Sequence, residues 1–197
     1  MRETTCVPAP GRDRQFGTAV GEARSPGEGW PGDGLEDVIH DALLIELSRN
    51  DPGCFAEFYD RRAPEIHRYA EFRLGPELVD DVVAETFLRG FRARHGYDAG
   101  RCAARPWLYG IAGRVIGGHR RREAVRYRAL RSTSADPATR RLAGALGGLR
   151  RRDRDVLLLS DWAGLALPEV ATALRVPVRR AQTALERAYH RLEGEPA

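Results

Sequence analysis

Side chains able to read DNA bases lie near the C-terminal end of the chain, where apolar residues recur at helical spacing. In a helix that starts at Val178, a polar and basic set faces away from the apolar stripe: Arg179, Arg180, Gln182, Thr183 and Arg187. Arginine binds guanine and glutamine binds adenine in the major groove through paired hydrogen bonds. A helix that turns these groups outward is therefore a candidate for reading double-stranded DNA.

The residues just before this stretch predict the partner helix and the turn that position it. Residues 168–174 form a short amphipathic segment, and Arg175-Val176-Pro177 follows as a tight connector. Pro177 cannot continue the preceding helix, because proline lacks a backbone N–H and its ring clashes with the turn before it. Two helices joined in this way can also serve packing alone, but the outward basic set favours a helix–turn–helix that binds DNA.

Charge is distributed unevenly along the chain, which has 197 residues and a net charge of +4. Acidic residues dominate from Glu36 to Glu85. From Arg101 to Arg131 almost every charge is an arginine, and Glu123 is the lone acid. The acidic segment repels nucleic acid and the basic segment attracts it. Either run alone is equally consistent with a solvated helix face, but the contrast between them favours a nucleic-acid partner for the basic one.

Helical patterning and its interruptions divide the chain into four parts. Residues 1–34 are rich in Gly, Pro and Arg without any period, which predicts a disordered arm. Apolar residues at helical spacing run through 35–122, and a polar, arginine-rich stretch at 123–141 predicts a flexible linker. Helical spacing returns at 142–193. Aromatic residues make up only 8% of the chain, so we predict an all-α fold with two small helical domains.

Several functional classes lack the residues that they need. The 3 cysteines, Cys6, Cys54 and Cys102, are far apart and show no Cys/His ligand spacing, so we expect no metal site. No nucleophile–base set or phosphate-binding loop is present, so we expect no catalytic residues, no cofactor and no small-molecule substrate. No apolar run approaches the roughly 20 residues of a membrane span, and no signal-peptide pattern occurs, so we expect a cytoplasmic protein.

Three motifs occur in a fixed order along the chain. Residues 81–91 read DVVAETFLRGF, residues 103–112 read AARPWLYGIA, and residues 145–171 combine an apolar DVLLL stretch with a following GL and EVA. The first resembles the region 2.2 helix of sigma-70 family RNA polymerase sigma factors, the second that family's A-R-x-W-L-x-x-I-A, and the third its region 4. The resemblance covers roughly residues 38–192. Order and spacing are those of the extracytoplasmic-function subgroup (group 4), which keeps only regions 2 and 4.

The resemblance implies a bacterial promoter-recognition subunit, with region 2 as a helical bundle at 35–122 and region 4 as a helix–turn–helix at 142–193. Such a subunit binds core RNA polymerase through the β′ clamp and the β subunit. The residues that this implies for polymerase binding are Asp80, Asp81, Val82, Glu85, Thr86 and Phe87. The alternative for these positions is a solvated acidic face with Phe87 in the core.

The resemblance also implies contacts with two promoter elements. The set on the Val178 helix would read the −35 element as duplex DNA, and the 97–122 segment would melt the −10 element and hold a single strand. The −10 candidates are Tyr97, Asp98, Arg101, Arg114, His119, Arg121 and Arg122. Extruding a base costs a few kcal/mol, which stacking at about 1–3 kcal/mol per base can offset. Trp107 could also stack on a base, but its place on the apolar stripe predicts a core residue.

Other functions remain open at this point. Gly113 and Gly118 stand where the family often has arginine and aspartate, and each glycine weakens a helix by about 1 kcal/mol relative to alanine. A degenerate sigma-like protein that binds polymerase without melting DNA is therefore one alternative, and a stand-alone helix–turn–helix regulator is another. A cognate anti-sigma factor is implied by the resemblance alone.

Overall fold

The computed structural model describes residues 34–193, and within this range the chain forms α-helices without strands. The helices are, in chain order, α1 (Leu35–Leu47), α2 (Gly53–Leu74), α3 (Val79–Ala93), α4 (Ala104–Gly118), α5 (Arg120–Thr133), α6 (Pro137–Gly148), α7 (Arg151–Leu157), α8 (Leu167–Leu174) and α9 (Val178–Glu193). The predicted all-α fold is confirmed. The arm predicted at 1–34 lies outside the described residues, apart from Gly34.

The boundaries of α2 follow from local chemistry. The Asp51 carboxylate accepts a hydrogen bond from the Gly53 N–H at 2.9 Å and so satisfies a free donor at the start of the helix. Gly75 ends the helix with φ of 86°, a backbone conformation that side-chain-bearing residues rarely adopt. Pro64 lies inside α2 rather than at a break. It is on the exposed face, where water can bind the carbonyl that proline leaves without a donor.

The stretch at 123–141 differs from the flexible linker predicted from its composition, because most of it is helical. Helix α5 runs through to Thr133, and Glu123 and Tyr127, four positions apart, are both buried. Because this buried stripe is short and partly polar, the apolar periodicity of the sequence did not predict a helix here. A break does occur at 134–136, after which the Asp136 carboxylate caps α6 by accepting from the Ala138 and Thr139 N–H groups at 3.0 and 2.9 Å.

By their order in the chain we divide the helices into an N-terminal half (α1–α5) and a C-terminal half (α6–α9). In the N-terminal half, aromatic rings from α2 and α3 form a cluster at centroid distances of 5.3–6.5 Å, in tilted or edge-on geometry: Phe55, Phe58, Phe87 and Phe91. In the C-terminal half, α9 packs against α7 and α8. The buried apolar residues of both halves form one continuous core.

The two halves meet along α4 and α8, and α5 pairs with α6. A search of the described helices finds none that is both long and apolar enough to cross a lipid bilayer.

Candidate nucleic-acid and partner surfaces

The reading face is the outward side of α9, which we define by Arg179, Arg180, Gln182, Thr183 and Arg187. All of these residues are exposed. The opposite side of the helix carries Ala181, Ala184 and Ala188, each with 0% exposure. Because alanine is small, α9 can lie close against its neighbours, and the spacing of three and four residues keeps the buried stripe on one face. The first two turns of α9 therefore present polar side chains to solvent, where a DNA groove can receive them.

The turn that aims α9 contains a left-handed residue. Arg175 has φ of 53° and ψ of 49°, and the Val176 N–H donates to the Ala171 carbonyl at 2.9 Å to close α8. Glycine adopts this conformation most easily, so an arginine here carries about 1 kcal/mol of strain. The Arg180 N–H then donates to the Pro177 carbonyl at 2.8 Å and starts α9. The predicted hairpin is therefore present although its turn lacks a glycine.

Arg187 differs from the rest of the reading face because a carboxylate already holds it. Its guanidinium donates to Asp153 of α7, with an Nη2–Oδ1 distance of 2.6 Å and an Nε–Oδ2 distance of 3.3 Å. Asp153 is buried, and its hydrogen bond raises the pKa of Arg187. About half of the Arg187 side chain stays exposed. Arg187 therefore ties α9 to α7 while still facing solvent.

Tyr97, the aromatic residue of the −10 set, lies inside the protein. It is only 3% exposed, and its ring contacts Trp107 at a centroid distance of 5.1 Å. Its hydroxyl has no hydrogen-bond partner within the described part of the chain, and burial raises the pKa of that hydroxyl. The Tyr97 carbonyl accepts a hydrogen bond from the Arg49 guanidinium at 2.5 Å, which fixes the backbone there. In this conformation the ring cannot stack on a base.

The other −10 candidates lie at the surface of the N-terminal half. Asp98 and Arg101 form an exposed turn in which the Asp98 carboxylate accepts from the Gly100 N–H at 2.9 Å and pairs with Arg101 at 3.2 Å. Arg121 and Arg122 are exposed at the start of α5, and Arg122 pairs with Glu77. His119, half-buried, breaks the helix between α4 and α5 with φ of −101° and ψ of 28°. The structure therefore places His119, Arg121 and Arg122 around the junction of α4 and α5, and Arg101 in the turn before α4 begins.

Arg114 is the exception among these cations, because other positive charges lie close to it. Its pKa is lowered, first by burial and then by repulsion from Arg175 and Arg89. Arg175 belongs to the turn of the C-terminal half, so this half approaches the Arg114 side of α4. An anion between these arginines would relieve the repulsion.

The acidic face of α3, defined here as Asp80, Asp81 and Glu85, lies at the surface. Asp80 and Asp81 are exposed, and Glu85 pairs with Arg89 of the same helix at 2.6 Å. The remaining candidates for polymerase contact are buried among α2, α3 and α4: Val82 at 1%, Thr86 at 0% and Phe87 at 4% exposure. Those three residues hold α3 in place, and of the six predicted polymerase contacts only the acids are available to a partner in this conformation. Leu88, 42% exposed, lies on the same helix and adds an apolar group to this surface.

A buried network of charges joins α2, α5 and α7, and the sequence analysis did not predict it. Arg73 of α2 donates to Glu123 of α5 and to Asp155 of α7, each at 2.7 Å. Tyr69 accepts from Arg73 at 2.9 Å, and burial raises the pKa of Tyr69 to about 12. Arg73 follows Tyr69 by four positions and so lies on the apolar face of α2. A charged residue on an apolar stripe was the one feature of the sequence that could have predicted this buried network.

No group of three or more His, Cys, Asp or Glu side chains within residues 34–193 is arranged to hold a metal ion.

Two family models match the chain. The model of Sigma-70 region 2 matches residues 58–126, which span α2 to α5. The model of Sigma-70, region 4 matches residues 139–192, which contain the hairpin of α8 and α9.

Individual proteins are similar over most of the chain. The RNA polymerase sigma factor NccH of Alcaligenes xylosoxydans xylosoxydans is 26% identical over 178 residues, which cover 78% of this chain and 92% of NccH. The ECF RNA polymerase sigma factor SigK of Mycolicibacterium vanbaalenii is 28% identical over 151 residues, covering 68% of this chain and 77% of SigK. Among solved structures, CnrH in complex with the cytosolic domain of CnrY is similar with a TM-score of 0.63 and 27% identity, over 78% of this chain and 95% of CnrH.

Proposed function

Because this chain belongs to the sigma-70 family of RNA polymerase sigma factors, with the regions of the extracytoplasmic-function subgroup, we propose that it binds core RNA polymerase and directs it to promoters. The presence of both family regions in one chain carries this proposal. A stand-alone helix–turn–helix regulator has no use for a region 2, and the matched region 2 therefore favours a sigma factor over that alternative.

Polymerase binding is assigned to the acidic face of α3. Asp80 and Asp81 are exposed, and Glu85 is held on the same side by Arg89. Opposite charges on a partner surface accelerate encounter and select the register of docking. The orientation of this face is fixed by the buried residues of the same helix, Val82, Thr86 and Phe87, because they anchor α3 to the core.

Recognition of the −35 element is assigned to the reading face of α9. Arg179 and Arg180 lie in its first turn, where a helix that enters the major groove by its N-terminal end contacts base edges. Gln182 and Thr183 follow in the next turn, and the Thr183 hydroxyl donates to the Arg179 carbonyl at 2.9 Å. We assign Arg187, which Asp153 holds, to the phosphate backbone at the far edge of the groove.

Melting of the −10 element is assigned to the surface cations at the junction of α4 and α5, together with the Asp98–Arg101 turn. We assign Arg121 and Arg122, both exposed, to the phosphates of a displaced strand. Tyr97 is buried and Trp107 is partly buried, which leaves base stacking to a rearranged form of this segment. A sigma-like protein that binds polymerase without melting DNA is the outcome that follows if no such rearrangement occurs.

The remaining assignments follow from the same family membership. Region 2 spans residues 35–122, region 4 spans 142–193, and α5 with the start of α6 connects them. The chain performs no catalysis itself and uses no cofactor, since the polymerase makes the RNA. It acts in the cytoplasm, and an anti-sigma factor controls it. The similarity to CnrH, which is in complex with the cytosolic domain of CnrY, supports a protein partner for this chain.

The test of this function is transcription from a library of promoters with purified core polymerase and the full chain. We expect transcripts only when both proteins are present, and the selected templates should share two sequence elements. Promoter-specific binding by the chain alone, with no polymerase copurifying in a pull-down, would instead establish a stand-alone regulator. Copurification without transcripts from any template would establish a degenerate sigma-like protein.

The polymerase contact is tested by reversing charge on α3. We expect the double variant Asp81→Arg/Glu85→Arg to weaken holoenzyme assembly by about 10-fold or more, because repulsion replaces attraction at the docking surface. The matched control is Glu57→Arg, a reversal at an exposed acid that contacts His40 of α1 instead of α3. Assembly is measured by fluorescence anisotropy with labelled chain. Equal affinity of the double variant and the wild type would remove the acidic face from the polymerase interface.

A further inference from the structure

Helix α5 carries exposed cations beyond those assigned to the −10 element. We propose that two of them, Arg128 and Arg131, bind phosphates of the duplex DNA immediately upstream of that element. The contact is independent of sequence and adds affinity between the two promoter elements. The inference rests on the proposed function, because the −10 element defines where this duplex begins.

The exposed cations of α5 lie on one side of the helix, which we call its outer side. It consists of Arg121, Ala124, Arg128 and Arg131, all exposed and spaced by three, four and three residues. Residues with this spacing share one face of an α-helix. Because Arg121 is a −10 candidate, the other two arginines continue a line of positive charge that begins at the −10 surface. At 1.5 Å per residue the line is about 15 Å long, which is roughly four base pairs of B-form DNA.

The buried side of α5 fixes the direction in which the outer side points. Glu123 is 1% exposed and accepts hydrogen bonds from Arg73 at 2.7 Å and from Arg154 at 3.1 Å. Tyr127, one turn further along, is 2% exposed, and the guanidinium carbon of Arg154 lies 5.3 Å from the centroid of its ring. Rotation of α5 would break both ion pairs of a buried carboxylate, which is strongly unfavourable. The helix is therefore held with its outer side toward solvent.

Arg128 and Arg131 also differ from their neighbours in ion pairing. Arg122 pairs with Glu77, and Arg126 donates to a backbone carbonyl of α2 at 3.2 Å. Neither of the two proposed arginines forms an ion pair with any acid in the part of the chain that the structure describes, residues 34–193. Their charge is therefore balanced by solvent ions alone, and a DNA phosphate can replace those ions without breaking an internal contact.

The connection to α6 holds the C-terminal end of α5. A Cβ atom at Gly144 would lie 3.4 Å from the Arg131 Cδ and 3.8 Å from its Cγ, so the stem of this arginine lies against the backbone of α6. Arg140 closes the turn by donating to the carbonyls of Ser134 at 2.8 Å and Ala135 at 3.2 Å. An arginine with a packed stem keeps its charged end in water and loses less conformational entropy when it binds an anion.

Chain order indicates which DNA the outer side of α5 meets. Helix α5 begins at the −10 surface and leads toward region 4, and the element assigned to region 4 lies upstream of the −10 element. The proposed melting concerns the −10 element, so the DNA next to it on the upstream side is a duplex. Guanidinium groups bind phosphates whatever the base sequence, and this suits a stretch of DNA that neither reading surface covers.

The experiment uses holoenzyme formed from core polymerase and the full chain, on a promoter selected from the library. It compares Arg128→Ala/Arg131→Ala with the matched control Arg128→Lys/Arg131→Lys. Alanine removes both charges and favours a helix, whereas lysine keeps the charges. One template has ordinary phosphates, and a second has uncharged methylphosphonate linkages over about four base pairs upstream of the −10 element. Fluorescence anisotropy at several salt concentrations measures affinity, and circular dichroism reports folding.

On the ordinary template we expect a shallower plot of log affinity against log salt concentration for the alanine variant. The slope should change by about 1.8, because each phosphate contact with a duplex contributes about 0.9. The lysine variant should keep the slope of the wild type. On the methylphosphonate template the wild type and the alanine variant should have equal slopes, since the phosphates that distinguish them are neutral there.

Equal slopes for the wild type and the alanine variant on the ordinary template overturn the phosphate contact. A loss of slope that persists on the methylphosphonate template places both arginines on other DNA and overturns the upstream site. Weaker assembly of the alanine variant with core polymerase assigns the arginines to an acidic protein surface instead. A wild type that fails to assemble counts against the proposed function, and the upstream site falls with it, whereas the first three results come from an assembled wild-type holoenzyme and leave that function standing.

Discussion

The two surfaces assigned to DNA are built in different ways. On α9 every residue of the reading face is exposed, because a regular stripe of buried alanines fixes which side of the helix points outward. In the 97–122 segment the cations are at the surface while the aromatic residue, Tyr97, is buried against Trp107. The side chains of the reading face thus already project into solvent, whereas Tyr97 of the −10 segment offers no exposed ring for a base to stack on.

This difference reflects what each task demands. Reading duplex DNA needs a rigid helix whose side chains already project into solvent. The conformational entropy of ordering that helix is then lost during folding and not during DNA binding. Capturing a flipped base needs a pocket that exists only after strands separate, and an aromatic platform left exposed in the free protein would be a liability in solution. A segment that rearranges on binding therefore suits the −10 role better than a preformed surface.

The largest expected effect is the loss of stability on replacing Tyr97. Tyr97→Ala should lower the free energy of unfolding by about 3 kcal/mol, because it leaves a cavity beside Trp107. Tyr97→Phe keeps the ring and removes a hydroxyl that has no partner within residues 34–193, so it should change stability by less than about 1 kcal/mol. Urea denaturation measures both. A Tyr97→Ala protein that is as stable as the wild type, yet fails to open promoters, would show that Tyr97 acts on DNA. The difference drawn here between the two DNA surfaces would then be wrong.

On the reading face, binding should change without any change in stability. Arg179→Ala should cost about 1–3 kcal/mol in −35 DNA binding by the holoenzyme, and its effect on unfolding should stay within about 0.5 kcal/mol. The control is Arg191→Ala, an exposed arginine in the last turn of α9. Gel-shift assays on matched and mismatched −35 sequences separate base reading from phosphate contact. An equal loss on both sequences would reduce Arg179 to a phosphate contact.

The smallest expected effect is at Arg114, an exposed cation that lies near Arg175 and Arg89. Arg114→Ala should change stability by less than about 0.5 kcal/mol, since it removes a cation that Arg175 and Arg89 repel. For single-strand binding by the holoenzyme, the plot of log affinity against log salt concentration should become shallower by about 0.7 in slope. This change corresponds to one lost phosphate contact.

Arg121→Ala is the comparison for Arg114→Ala, because Arg121 is also an exposed arginine of the 97–122 segment. If both arginines contact phosphates in the holoenzyme, both variants should lose the same slope. A lower slope for Arg121→Ala alone would mean that Arg114 makes no phosphate contact while DNA is bound.

Several features were predictable because they depend on neighbours in the chain. The reading face follows from helical spacing within α9, and the hairpin follows from Pro177 together with the short segment before it. Helix α5 was missed because its buried face contains a charged residue, Glu123, whose partners lie on other helices. A search for apolar periodicity cannot register such a position, since only the paired charge makes its burial favourable.

The sequence by itself determined the helical class, the order of the two family regions and which side of α9 points outward, because each depends on residues a few positions apart. Only the tertiary structure decided that Tyr97 is buried, that Val82, Thr86 and Phe87 are core, and that the halves dock. Arg73 and Asp155, for instance, are 82 positions apart, and nothing local to either residue indicates the other. Their pairing depends on how whole helices pack, and packing is decided by shape and by charges that must be matched once water is removed.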